Sequence, residues 1–491
     1  MSLLIPGETC WRTAKAERVA FLIDNEAYFT ALYEAFRKAR RSILILGWAF
    51  DPRTRLFPDG HDGPDDPDEV GHVLLRLARE RPDLDIRLLI WKSALPVAAT
   101  QDFFPHKARD WFKGSRVQFH LDDKIPMGAC HHQKVVVIDD RLAFCGGGDI
   151  SVDRWDTPGH LEHDLRRIMP DQDCHDPRHE VMMMVDGEAA RALGDHVRDR
   201  WRLGVGEDLA PAPDAGGDPW PDHVPPHVTT ARLGIARTAP PWRGRPSVDE
   251  IRDLALDSIA AAREIIYLEN QYFTSPLVTE ALARRLGEAN GPEVVLIATG
   301  QSPSWFDKLA MDNARGAMIW RLRSADVFGR FRAYFPVTSG GSTIIVHSKV
   351  SIFDDHLARV GSANLNNRSF GFDTEIELAL ETEDSDERRV VAAVRDRLVG
   401  HFLGYTGDAV SKARIERGGL IPAIDALNRE GRLRPIDPGA RKGFGAFMAD
   451  YHLGDPSAPS DAWRPLRRRQ KLFDQIRALD QARSKSITSG R

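Results

Sequence analysis

The chain has 491 residues, 42% hydrophobic and 28% charged, enough for two or three domains around a large core. Its formal charge is −5 and its pI about 6.4, so no global positive field draws it to nucleic acid or anionic lipid. No run reaches the length needed to cross a bilayer, Met1 to Lys15 lacks the pattern of a secretion signal, and the four cysteines (Cys10, Cys130, Cys145, Cys174) have no framework spacing. These features predict a soluble chain in the reducing cytoplasm, peripheral to any membrane it meets. Delivery elsewhere without an N-terminal signal stays open.

In chain order, the apolar period predicts a helix over Arg18 to Arg40, then a strand over Ser42 to Phe50. Asp59 to Glu69 is acidic and rich in proline and glycine, the composition of an exposed loop, and it lacks the spacing of a calcium loop. Val70 to Arg81 reads as helix, and Leu84 to Trp91 and Val117 to Leu121 as strands. The proline-rich segment Glu207 to Val228 reads as a linker. Beyond it the plan repeats: helices over Val248 to Arg263, Val278 to Ala289 and Asp312 to Arg323, strands over Ile265 to Leu268, Val294 to Ala298 and Ile344 to Phe353.

One passage occurs twice. His132-Gln-Lys134-Val-Val-Val-Ile-Asp139 leads to Gly146-Gly-Gly-Asp149, and His347-Ser-Lys349-Val-Ser-Ile-Phe-Asp354 leads, 215 positions later, to Gly361-Ser-Ala-Asn364. In a strand, alternate residues share a face, so each copy would present an imidazole and an ammonium together. Two copies facing one point would make a phosphate site with acid–base groups on opposite sides. The competing reading is a repeated structural hairpin whose histidines serve only core hydrogen bonds.

At these residues the sequence resembles the phospholipase D superfamily and its duplicated HxKxxxxD, in particular a lipase-type bacterial member. The passages Gly146 to Asp156 (ending Arg154-Trp155-Asp156), Ile266-Tyr-Leu-Glu269-Asn-Gln-Tyr-Phe273, Ala39 to Trp48 and Met182 to Ala190 also look like that family. The resemblance implies an α/β fold: two similar α-β-α lobes with mixed sheets, related by a pseudo-two-fold axis, with the active site at their interface. The expected division is an N-terminal lobe at 1–206, a linker at 207–228, a C-terminal lobe at 229–405 and a helical, polar extension at 406–491.

The resemblance also implies a chemistry. One histidine attacks phosphorus and becomes a phosphohistidine, and the other protonates the leaving alcohol and then activates water or another alcohol. The family analogy makes His132 the nucleophile and His347 the acid–base, although the near-symmetric sequence does not choose. His132, Lys134, Asp139, His347, Lys349 and Asp354 form the expected catalytic set. Lys134, Lys349 and Asn364 would hold phosphate oxygens, Asp149 would be structural, and Asp139 and Asp354 would fix hairpins or lysines. Glu375 and Glu180, with Asp164 in reserve, would orient the histidines.

No cofactor or metal is expected. Cys130-His131-His132 has no second cluster to complete a tetrahedral set, and activity should survive EDTA. Trp155, Tyr272, Phe273, Trp305 and Phe306 could line a cleft or be core. The substrate class implied is a glycerophospholipid, cleaved to phosphatidic acid and headgroup alcohol. A cardiolipin synthase-like transferase, a nuclease and a non-catalytic lipid-binding scaffold are the alternatives. The basic cluster Arg464 to Lys471 could meet anionic lipid or simply pack on the lobes.

Overall fold

The computed structural model describes residues 2–58, 68–93, 105–214, 216–302, 308–439 and 450–489, without the side chains of 309, 479–480 and 482–489. The acidic stretch at 59–67 and the aromatics Trp305 and Phe306 lie outside the described residues.

Chain order and sheet order differ in an informative way. The strands are β1 (Arg12–Ile23), β2 (Ser42–Gly47), β3 (Asp85–Trp91), β4 (Gln118–Asp122), β5 (Val135–Ile138), β6 (Leu142–Gly146), β7 (Arg178–His179), β8 (Val181–Asp186), β9 (Val228–Ala239), β10 (Val248–Asp249), β11 (Ile265–Asn270), β12 (Glu293–Ala298), β13 (Phe331–Pro336), β14 (Ile345–Val346), β15 (Val350–Phe353), β16 (Leu357–Gly361), β17 (Glu375–Glu381) and β18 (Leu433–Pro435). One continuous sheet runs β18-β13-β12-β11-β15-β16-β17-β9-β1-β8-β6-β5-β2-β3-β4, with β10 paired to β9. Read outward from the centre, β1-β8-β6-β5-β2-β3-β4 and β9-β17-β16-β15-β11-β12-β13 are the same order. The pairings match too: antiparallel as far as β2 and β11, parallel beyond.

The pseudo-two-fold passes between β1 and β9, which pair antiparallel with Ala16 opposite Ala231. This junction corrects the helix expected from Arg18. Residues 18–23 belong to β1, because Val19, Phe21 and Ile23 are buried in the centre of the sheet, and the helix begins only at Asn25. The period of the following helix masked the strand before it.

Three cores sandwich the sheet. One face, shared by both lobes, packs Val19, Val135, Val137, Leu233, Val350 and Ile376 against helices at Gly187–Gly204 and Ser385–Leu403. The opposite face carries a separate core in each lobe, under the helices Asn25–Lys38 and Val70–Glu80 in the first, and Glu250–Ala261, Pro276–Leu286 and Asn313–Ala325 in the second. Burial of such faces supplies the main stabilisation, at about 25 cal/mol per Å² of apolar surface.

Two of the expected segments pack against the lobes. The linker is a strap laid over the first lobe: Trp220 is buried, and Asp214, Asp218 and Asp222 pair with Arg141, Arg18 and Lys38. The C-terminal extension is partly woven into the second lobe, where β18 pairs with β13 and Leu420, Ile421 and Ile424 enter the shared core.

Candidate active site

Neither H-x-K lies inside a paired strand. The β5 ladder stops at Val135 and the β15 ladder at Val350, so the expected strand at Ile344 to Phe353 is broken into β14 and β15 around the motif. Each motif enters the seam along the other lobe. His132 donates its backbone N–H to Thr374 O, and His347 donates its own to His179 O, both at 2.9 Å. The short parallel pair β7–β14 and the bridge His131–Thr374 are the two copies of this crossing.

The crossing decides which carboxylate meets which ring. His132 Nδ1 lies 3.0 Å from Glu375 Oε2, and His347 Nδ1 lies 2.5 Å from Glu180 Oε2. Each orienting glutamate therefore belongs to the opposite lobe. With Nδ1–H donating to a carboxylate, the Nε2 lone pair of each ring is free to act. His132 keeps 16% side-chain exposure and His347 8%, so both rings reach the surface of the seam. Asp164 is not in this arrangement: it caps a 3₁₀ turn and binds Arg166.

The cations converge as well. Lys134 Nζ donates to His132 O at 2.8 Å and lies 3.3 Å from Asp149 Oδ2. Lys349 Nζ donates to His347 O. A Cβ placed on Gly147 would lie 3.0 Å from Lys349 Cδ and 2.5 Å from Glu180 Oε1, so the glycine loop of one lobe abuts the lysine of the other.

The electrostatics follow from burial. Burial, with Lys134 and Lys349 adding to it, pushes the His132 imidazole well below its ordinary value. The same holds for His347, through burial and then Lys349, Arg154, Arg178 and Lys134. Both rings are thus neutral in the free protein. Burial brings Lys349 down to about 7 and lifts Glu375 to about 7, while Glu180 is also raised by burial.

The motif aspartates, expected both in the catalytic set and as hairpin clamps, bind backbone amides. Asp139 accepts the backbone N–H groups of Arg40, Arg41 and Ser42, and Asp354 those of Arg263, Glu264 and Ile265. They sit beyond the far ends of β5 and β15, roughly 16 Å along the chain from the lysines. Each clamps the entry of β2 or β11. Asp149 is structural in the same sense, accepting from Trp48 N and Ala49 N while pairing with Lys134. Its counterpart Asn364 is buried, and its Oδ1 has no hydrogen-bond partner. Trp155 and Phe273 are core residues rather than a cleft lining, and Tyr272 is half-buried.

Sequence reasoning missed several contributors. Arg154 and Arg178 are buried, each with an Nε that has no hydrogen-bond partner, and both guanidiniums act electrostatically on His347. Arg178 directly precedes His179-Glu180, and only that adjacency could have marked it. Ser362 and Ser369 donate hydroxyl hydrogens to Glu375, at 2.5 and 2.7 Å. The assembly offers two nucleophilic ring nitrogens and four cations around one seam, which suits attack on an anionic phosphorus centre.

Comparisons with known proteins agree with this geometry. Residues 35–212 match the family model described as Phospholipase D, and residues 255–398 that described as Cardiolipin synthase, PLD-like domain. Phospholipase D1 of Saccharomyces cerevisiae is 24% identical over 78% of this chain and 28% of its own length. Phospholipase D A of Dictyostelium discoideum is 25% identical over 74% and 33%, and Phospholipase D2 of Bos taurus 22% over 74% and 49%. The chain thus spans less than half the length of these relatives. The crystal structure of phosphatidylserine synthase from Haemophilus influenzae Rd KW20 shares the fold, with a TM-score of 0.54 at 13% identity over 86% of this chain and 88% of that one. With a matching family model on each half and relatives that span both, the chain belongs to the phospholipase D superfamily.

Proposed function

We propose that the chain is a phospholipase D-type phosphodiesterase that cleaves a glycerophospholipid to phosphatidic acid and headgroup alcohol, and transfers the phosphatidyl group when an alcohol competes with water. The observation that carries this reading is the crossed pairing of each histidine with a glutamate of the other lobe. It leaves two free Nε2 atoms at one seam, flanked by Lys134 and Lys349.

His132 Nε2 attacks phosphorus while Glu375 accepts its Nδ1–H and stabilises the charge that develops on the ring. Lys134, Lys349, Arg154 and Arg178 neutralise the non-bridging oxygens. The anionic diester offsets the cations that hold His347 neutral, so His347 takes up the proton it gives to the departing alkoxide. It then draws the proton from water or alcohol, whose attack on the phosphohistidine releases product and restores His132. Every phosphoryl step is assigned to side chains.

The reading includes a membrane-surface encounter in the cytoplasm; the four cysteines, all free, support a reducing compartment. No helix of the described residues is long and apolar enough to cross a membrane. A second reading, a phosphatidyltransferase, draws on the second half's match to the cardiolipin synthase-like model.

Phosphatidylcholine vesicles with and without ethanol test both. Phosphatidic acid joined by phosphatidylethanol supports the lipase. Transfer to alcohol with no phosphatidic acid in water favours the transferase. Inertness on every diester sinks the proposal.

A further inference from the structure

A second polar cluster lies next to the seam and has no part in the phosphoryl chemistry. Asp24 lies between β1 and the helix Asn25–Lys38, His160 comes from the loop after β6, His179 lies in β7, and His401 lies near the end of the helix Ser385–Leu403 of the second lobe. One ligand atom from each lies within 4.8 Å of all the others. His179 Nδ1 is 2.8 Å from Asp24 Oδ1, His160 Nε2 is 2.8 Å from His401 Nε2, and Asp24 Oδ2 is 3.4 Å from His401 Nε2. The ligands of a tetrahedral zinc ion, with bonds of about 2.0–2.1 Å, lie roughly 3.4 Å apart. The cluster has that size and that donor set, three imidazole nitrogens and one carboxylate.

The shell behind these groups is also that of a metal centre. His160 directs Nδ1 to Asp156 at 2.8 Å, and His179 directs Nε2 to Glu269 at 3.0 Å, so each ring has its inward nitrogen fixed by a carboxylate behind it. Glu269 is itself held by Tyr267 Oη and Ser348 Oγ. Hydrogen bonding within the cluster is incomplete: Asp24 is fully buried, and its Oδ2 has no hydrogen-bond partner. Asp24, Asp156 and Glu269 are three buried carboxylates around the histidines, and Arg167 lies 3.6 Å from Asp156.

We propose that Asp24, His160, His179 and His401 bind one divalent transition-metal ion, best matched by zinc, that staples the second lobe's helix to the first lobe. A closed four-ligand set with no open position suits a structural rather than a reactive ion, and imidazole-rich donors favour zinc over calcium or magnesium. The staple sits directly behind the site: His179 O holds the His347 backbone, and Glu180 is the next residue. The four ligands are scattered over 24, 160, 179 and 401, with no local spacing to betray them. The inference is independent of the activity proposed above.

The test is elemental analysis of the full-length chain purified from zinc-supplemented medium without chelators. About one zinc per chain is expected, falling to under roughly a tenth in His401→Ala and in His160→Ala. Exchange with Co²⁺ should give the intense visible absorption of a tetrahedral site. Adding Zn²⁺ to chelator-stripped wild-type protein should raise its melting midpoint by about 3 °C or more. The wild-type measurements need no variant to fold. Purified wild-type protein with no stoichiometric metal, and no spectral or thermal response to Co²⁺ or Zn²⁺, would make the cluster a proton-sharing network and overturn the proposal. So would zinc retained at full stoichiometry in folded variants, because the ion would then lie elsewhere.

Discussion

The two lobes share strand order, pairing and a motif, yet they differ at three equivalent positions that face the seam. Where the first lobe has Asp149 beside Lys134, the second has Asn364, and among the described residues Lys349 has no carboxylate partner. Where the first has Gly147, the second has Ser362, whose hydroxyl holds Glu375. Where the first has His179 ahead of its glutamate, the second has Thr374. Duplication thus copied positions but not charges. Lys134 has an ion pair with Asp149 before substrate arrives; Lys349 has none among the described residues, and burial, opposed in part by Glu180, brings its pKa to about 7.

The largest expected effect breaks both lobes alike. His132→Ala and His347→Ala should each lower turnover about 10⁴-fold or more, since groups that act as a unit fail together. Acid-quench trapping with labelled phospholipid separates their roles: the covalent adduct should be absent in His132→Ala. An adduct persisting there would reassign the nucleophile to His347.

Next come the crossed carboxylates. Glu375→Gln should cost about 1.5–3 kcal/mol, roughly 10- to 150-fold, as expected for a hydrogen bond to a charged group. The loss should fall on adduct formation, which single-turnover kinetics would read. Normal adduct formation with slowed release would mean that Glu375 does not serve His132.

A smaller effect concerns pH. Glu375 protonates as pH falls through about 7, removing the acceptor for His132, and Lys349 loses its charge as pH rises through about 7, removing a phosphate ligand. The kcat/KM profile should therefore be a narrow bell near neutrality. Asn364→Asp would place a carboxylate opposite Lys349, as Asp149 stands to Lys134, and should move the alkaline limb upward. A wild-type profile flat from about pH 6 to 9 contradicts this account.

The mildest change, Ser362→Gly, makes the second lobe resemble the first. It removes one of two hydroxyls on Glu375 and should cost about 1 kcal/mol, a several-fold loss in kcat with little change in KM. A loss confined to KM would place Ser362 in substrate binding instead.

Much of this was legible in the sequence because it is local. The apolar run Val135 to Ile138 forms β5, and the end of the strand expected over Ile344 to Phe353 forms β15. What was not legible is pairing at a distance. β1 and β9, which join the lobes, carry no motif, and β1 was hidden by the helix that follows it. The crossing of Glu180 to His347 and Glu375 to His132 lies 167 and 243 residues apart in the chain, and no local period encodes it. The two halves also differ in length just where the glutamates should align: thirty-one residues separate Asp149 from Glu180, and eleven separate Asn364 from Glu375. The longer first-lobe passage, which obscures the repeat, also supplies His160 of the second cluster.

The exchange of glutamates has a consequence for how such a chain can change over generations. Neither half owns a working imidazole, because each ring's proton is governed from across the divide. Drift in one half is therefore judged by the performance of the other, and the two copies are bound to vary together long after their sequences have parted.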